Sequence, residues 1–164
     1  MAETWVVNAS PVIVLAKAGR LRLIDDLCDA VLLPSAVVNE LVAGPPDDPA
    51  RLAVAAGWGR RVSPRQCPSS LVEWGLGAGE TAVLAVALEH PGCTALLDDA
   101  AGRAAAHTPG VSTLGTLGLI VRAKLRELVP SAGQVIQEVR HAGLYLDEGI
   151  VDAALRQIGE RWPT

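Results

Sequence analysis

The sequence has no phenylalanine and a single tyrosine, Tyr145, among its 164 residues. A platform of several aromatics on which single-stranded nucleic acid could stack base after base is excluded on supply alone. Cysteine is scarce as well. Cys28, Cys67 and Cys93 are widely spaced, odd in number and form no C-x-x-C pair, which argues against a disulfide framework or a zinc site and fits a reducing compartment. No charge-free apolar run approaches the roughly 18 residues that a membrane span needs. The N-terminus lacks a basic segment followed by an apolar core and a cleavage site, so a cytoplasmic protein without a signal peptide is expected. Positive charge is outweighed, with a formal net charge of −4. Bulk electrostatics therefore do not draw the chain onto a phosphate backbone, and nucleic-acid binding would need a local basic patch or bridging metal ions.

What the chain does have is aliphatic bulk. Apolar residues make up 50% of it, dominated by Ala, Val and Leu, enough for a substantial core and against disorder. Short β-branched or Leu-rich runs predict strands at Thr4–Val7, Ala30–Leu33, Thr94–Leu97 and, more weakly, Gly110–Thr113. Helical patterns lie between them, at Pro11–Ala18, Leu21–Leu27, Pro34–Val42, Glu80–Glu89, Ala100–His107, Leu114–Leu128, Gln134–His141 and Glu148–Gly159. Pro34 is placed at the first turn of its helix. Alternating strands and helices imply βαβ units and a mostly parallel central sheet, an α/β fold. The stretch 44–79, with its prolines, Trp58, Trp74, Arg60, Arg61 and Arg65, reads as a short helix near Arg51–Ala56 followed by a long irregular connection. The last helix has Asp147 as N-cap and an apolar stripe of Ile150, Val151, Ala154, Leu155 and Ile158.

A few carboxylates are out of place for solvated surface groups. Glu80 lies in line with Leu84, Ala87 and Leu88, at the N-terminal end of the buried stripe of its helix. Glu40 shares a helical face with Val37 and Leu41. The strand 94–97 runs straight into Asp98 and Asp99 before a helix, and the first strand runs into Asn8. Polar residues at the carboxyl ends of parallel strands are where α/β proteins place their chemistry. Taken singly, Glu80 is more simply a first-turn cap, Glu40 a residue at the edge of a stripe, and one of the two aspartates a helix N-cap. Taken together, Asn8, Glu40, Glu80, Asp98 and Asp99 can converge on one cleft. Clustered carboxylates raise each other's pKa, and a divalent cation relieves the repulsion. Oxygen ligands without His or Cys point to Mg²⁺ or Mn²⁺ rather than Zn²⁺.

Other signals carry less. LLDD lacks the G-x-x-x-x-G-K-[ST] that an ATPase needs. Gly75, Gly77 and Gly79 in WGLGAGE are spaced wrongly for G-x-G-x-x-G and more simply let the backbone turn into the helix at Glu80. His90, His107 and His141 show no ligand spacing, and Ser10 has no evident His partner for a hydrolase triad.

In the segments VVNASPVIVLAKAGRL, AVLLPSAVVNELV, GAGETAVLAVALE, ALLDDAAGR and VSTLGTLGLI, taken in order, the chain resembles the PIN domain family over roughly residues 4–125. The opening NASPVI and the final helix stripe look like a VapC-like bacterial and archaeal branch with an added C-terminal helical pair. The resemblance implies a three-layer α/β/α domain over residues 1–128 with a helical extension, 129–164, packed on the same domain. It also implies metal-dependent ribonuclease activity with Mg²⁺ or Mn²⁺, as in the toxins of toxin–antitoxin pairs, hence an RNA substrate, an antitoxin partner and a homodimer. On that resemblance Asn8 stands where the family usually has its first Asp. Glu40 matches the helix-borne Glu, Glu80 the acid opening the next core helix, and Asp99, with Asp98 beside it, the acid after the fourth strand. Ser10 matches the small polar residue after the first acid, and Thr113 or Thr116 a weaker polar position. Arg103, or Arg60, Arg61 and Arg65, would contact flanking phosphates.

Asn8 is the departure that matters. Its amide oxygen can still ligate a cation, but a full negative charge is gone. Unit charges about 4 Å apart interact by roughly 4 kcal/mol at an effective dielectric near 20, an upper guide to the loss. Weakened, Mn²⁺-preferring cleavage is expected, with a catalytically inactive PIN-like protein that binds RNA or protein as the alternative.

Overall fold

The computed structural model describes residues 2–162. The outermost residues of the two expected segments, 1 and 163–164, lie outside the described residues. Among the latter, five strands form one sheet: β1 (Thr4–Val7), β2 (Ala30–Pro34), β3 (Arg60–Val62), β4 (Thr94–Leu96) and β5 (Ser112–Leu114). Their order is β3-β2-β1-β4-β5, and every pairing is parallel. The helices are α1 (Ala9–Lys17), α2 (Arg22–Leu27), α3 (Ser35–Val42), α4 (Pro49–Ala55), α5 (Ser69–Val72), α6 (Ala78–Glu89), α7 (Ala100–His107), α8 (Thr116–Leu125), α9 (Ala132–His141) and α10 (Glu148–Gln157). They flank the sheet to give a three-layer α/β/α architecture. No described helix is long and apolar enough to cross a membrane.

The topology follows from burial. Trp5, Val6 and Val7 are fully buried, as a central parallel strand requires. The chain steps outward from β1 to β2 and β3, then returns to the far side of β1 for β4. The strand order therefore reverses between β1 and β4, and a crevice opens beyond their carboxyl ends. Helix α6 packs on β1, β2 and β4 and also on α3, α5 and α7. Ala82 through Ala87 are consequently all buried. The expected one-sided stripe is replaced by burial all round, because α6 is wedged between the sheet and α3.

The stretch after α4 is more ordered than its composition suggests. Arg60–Val62 is an edge strand beside β2, and Ser69–Val72 is a single helical turn. An edge strand keeps one side in solvent and tolerates charged side chains, so RRV carries no alternating apolar signal. Gly59 makes the entry possible. It adopts φ +80°, and a Cβ there would press on the Leu33 side chain at 3.3 Å. Pro34 ends β2 and is the N-cap residue of α3 rather than lying in its first turn.

The C-terminal helices close on the rest of the molecule. Helix α9 packs on α8 and α1, and α10 on α8. Val151 and Leu155 of the final stripe are fully buried, whereas Ile150 is exposed. Glu160 accepts hydrogen bonds from the Ala132 and Gly133 N–H groups and from Ser131 Oγ, which satisfies the N-terminus of α9 from beyond α10. Arg20 makes a two-pronged ion pair with Glu138 of α9, Nε to Oε2 at 2.8 Å and Nη2 to Oε1 at 3.1 Å.

The Arg20–Glu138 pair generates a pH-dependent expectation. The Arg20 hydrogen bond and charge hold the Glu138 carboxyl below its ordinary value of 4.5 against the opposing effect of burial. The stabilisation is complete above that ordinary value and is lost as pH falls through the lower folded-state value. Arg20→Ala should lower the unfolding free energy by roughly 1 kcal/mol at neutral pH. Urea melts of wild type and variant should converge in acid.

Candidate metal centre

Asn8 is the first residue past β1, and its N–H donates to the Leu96 carbonyl at 3.0 Å. That bond extends the β1–β4 ladder and fixes Asn8 at the point where the strand order reverses. The residue is 5% exposed, and its Oδ1 is buried without a hydrogen-bond partner among the described residues. An orphaned amide oxygen in such a place costs free energy unless a ligand satisfies it.

Gly79 is the residue facing that oxygen. A Cβ built on Gly79 would lie 3.3 Å from Asn8 Oδ1 and would collide with Glu40 Oε1. Glycine thus lets the first turn of α6 approach both side chains. Glu40, carried by α3, accepts the Gly79 N–H at Oε1 over 3.1 Å. The N-cap of α6 is Gly77, which has no side chain to offer, so a carboxylate from another helix satisfies this N-terminus. Glu40 is otherwise exposed along its length.

Glu80 follows in the same turn and is half-buried. Burial pushes its carboxyl up first, then the charges of Asp99 and Glu40 push it further, with the Gly77 N–H in part offsetting them. Glu80, Asp99 and Glu40 therefore share one electrostatic environment. Asp99 is the N-cap of α7 and accepts the Gly102 N–H at Oδ2 over 2.8 Å. Among the described residues its other oxygen is unengaged, as is Oε2 of Glu40.

Asp98 is placed differently. Leu96 pairs with Leu114 across β4 and β5, so Asp98 and Thr116, each two residues further on, stand side by side. Asp98 Oδ1 accepts the Thr116 N–H and Oδ2 accepts the Thr116 hydroxyl, both at 2.7 Å. Both of its oxygens are thus taken up in fixing the start of α8. Thr113 lies within β5 and Ser10 is exposed in the first turn of α1; neither makes a side-chain hydrogen bond among the described residues.

Arg103 lies beside Asp98. Its Nη1 is 3.2 Å from where a Cβ on Gly115 would be. Arg60 and Arg61 belong to β3, at the opposite edge of the sheet from β5. The Arg65 N–H is held by Glu89. All three histidines are exposed.

The donors here are all oxygen: one orphaned buried amide and carboxylates with oxygens to spare. That set fits a hard divalent cation. No three His, Cys, Asp or Glu side chains among the described residues stand close enough to form a ready-made metal site. Glu40 and Asp99 are instead each held at a helix N–H. Gly79 and Gly115 escaped the sequence reading as site residues. The signal for Gly79 was its place directly before Glu80, which reads equally well as a turn.

The family model described as DUF3368, a PIN domain, matches residues 4–160. The chain therefore belongs to the PIN domain family, whose members are generally metal-dependent nucleases acting on nucleic acid. The match takes in α9 and α10 as well as the sheet and its flanking helices. A comparison with curated proteins returns no match.

The raised carboxyl of Glu80 has a measurable consequence in metal-free protein. Above its folded-state value the charged form is penalised, so stability falls as pH rises through the interval between the ordinary value and the raised one. Glu80→Gln should raise the melting temperature in EDTA at pH 7. The gain should disappear below pH 4.5, where the carboxyl is protonated in both folded and unfolded chains.

Proposed function

We propose that this protein is a Mg²⁺- or Mn²⁺-dependent endoribonuclease, the toxin of a cytoplasmic toxin–antitoxin pair, weakened by Asn8. The observation that carries the reading is the buried, unpartnered Oδ1 of Asn8, set against Gly79 and Glu40 in the field shared by Glu80 and Asp99. Asn8, Glu40, Glu80 and Asp99 would hold the ion. Asp99 is preferred to Asp98 because it keeps a carboxylate oxygen unengaged, whereas Thr116 occupies both oxygens of Asp98.

When bound, the metal would supply an activated water and neutralise charge building on a phosphodiester. The chain's own contributions are positional. Gly79 holds Glu40 in place, Thr116 keeps Asp98 beside the site, and Glu80 is raised towards the range in which a carboxyl can take up or release a proton. Exposed apolar side chains on α3, α4 and around α5, namely Val42, Leu52, Val72 and Trp74, offer a surface for an antitoxin segment or a second copy.

A second reading, a PIN domain that binds RNA or a protein without cutting, is favoured by the amide at position 8 and by the lack of a ready-made metal cluster among the described residues. One titration separates the two. Calorimetry of Mn²⁺ and Mg²⁺ into wild type should give Mn²⁺ binding that Asn8→Asp tightens by about tenfold or more and Glu80→Gln abolishes. RNA cleavage in Mn²⁺ should follow the same order. Wild type that binds neither ion, beside an Asn8→Asp variant that does, would select the non-catalytic reading.

A further inference from the structure

A cavity of about 460 Å³ lies next to the candidate metal centre, within the range of small-ligand sites. One wall is Asp98, Arg103 and Gly115, from the ends of β4 and β5 and from α7. The other is the α9–α10 connection with Tyr145 and Asp147. We propose that this cavity is a nucleotide subsite for single-stranded RNA, in which Tyr145 stacks on a base and Arg103 holds the adjoining phosphate. The inference rests on the nuclease reading above and names how the substrate is gripped.

Tyr145 is the first reason. It is 83% exposed, the most wasteful position for the only tyrosine of a chain without phenylalanine. Its neighbours Leu144 and Leu146 are packed against the core. The connection is therefore pinned on either side, and the ring is presented to solvent rather than left on a loose tip. Such a ring offers its face to any base, which suits a sequence-tolerant contact.

Arg103 is the second reason. Arg20, Arg22, Arg122, Arg140 and Arg156 each face a carboxylate within 4.0 Å. Arg103 makes no ion pair or side-chain hydrogen bond among the described residues, although it lies beside Asp98. The Asp98 carboxylate is committed to Thr116, and Oδ1 of Asp147, the other acid of the cavity, accepts the Ile150 N–H. Neither acid forms an ion pair with Arg103 among the described residues, so its guanidinium donors remain free for a phosphate on the cavity wall. The position is purchased by Gly115, where a Cβ would lie 3.1 Å from Asp98 Oδ1 and 3.2 Å from Arg103 Nη1. A cation for a phosphate and an exposed aromatic face for a base thus share one cavity, beside the carboxylates that would act on the backbone. Composition excludes an aromatic platform; a single stacking residue is compatible with it.

The test uses a fluorescein-labelled single-stranded RNA decamer and otherwise wild-type protein in EDTA, where metal-dependent cleavage is suppressed, with anisotropy read as the signal. Adding Tyr145→Ala should weaken binding by about tenfold, and Tyr145→Phe should restore it. Arg103→Gln should weaken binding and reduce the salt dependence by about one counterion. Both side chains are exposed, so melting temperatures should hold and loss of binding will not reflect unfolding. RNA binding undiminished by Tyr145→Ala would remove the subsite and leave the nuclease reading standing. Wild-type protein with no affinity for RNA in EDTA, and no cleavage of it in Mn²⁺, would remove both.

Discussion

Four helices of this protein, α1, α3, α7 and α8, begin directly at the carboxyl ends of parallel strands. Each delivers unpaired N–H groups and the positive end of a helix dipole to the same strip of surface. That strip is where the acidic residues have collected. Asp99 takes the Gly102 N–H of α7 and Asp98 the Thr116 N–H of α8, while Glu40 reaches across to the Gly79 N–H of α6. The carboxylates are tolerated close together because helix ends hold them, and the helix ends are satisfied because the carboxylates are there. Removing the carboxylates would return these helix N–H groups to their unpaired state. The fold and its acidic cleft are thus one arrangement viewed from two ends.

Asn8 is the exception within that arrangement, and its position explains why. It stands between β1 and β4, where the strand order reverses, and its backbone N–H is already committed to Leu96. Its side-chain oxygen faces the first turn of α6, but the N–H there is claimed by Glu40. A carboxylate at this position would add charge beside Glu40, Glu80 and Asp99, and an amide lowers that repulsion in the metal-free protein. On the proposed reading the same amide would weaken the pull on a cation. On that reading position 8 would balance repulsion among these carboxylates against affinity for an ion, and its Oδ1 is left buried without a partner among the described residues.

Much of this was legible in the sequence because it rests on local patterns. The strands at Thr4–Val7 and Ala30–Pro34 are β-branched or Leu-rich and buried on both faces, so their runs are unbroken. The strand–acid–helix order around Asp98 and Asp99 locates the carboxyl edge of the sheet. What was hidden is what depends on neighbours remote in sequence. β3 is stabilised by pairing with β2 at an edge, and its residues, Arg60 and Arg61, carry no β signal of their own. Gly79 looks like a turn glycine until Glu40, 39 residues earlier in the chain, is brought against its N–H. Asp98 and Asp99 are equivalent on paper; only the register of β4 against β5 hands one of them to Thr116 and leaves the other beside Glu80.

The C-terminal helices bear on the site through the same logic. Glu160 fastens the start of α9, and Arg20 with Glu138 fastens its outer face to the turn after α1. Between α9 and α10 the chain must then cross at the mouth of the cleft, held by Leu144 and Leu146 and ended by the Asp147 cap. A helical pair anchored only for stability could have buried its connecting residues or made them small and polar. Here the connection instead leaves Tyr145 exposed on the cavity that Arg103 also lines. The α9–α10 connection thus forms one wall of the cavity whose other wall holds Asp98 and Arg103, and the packing of α9 and α10 on α8 and α1 sets where that wall stands.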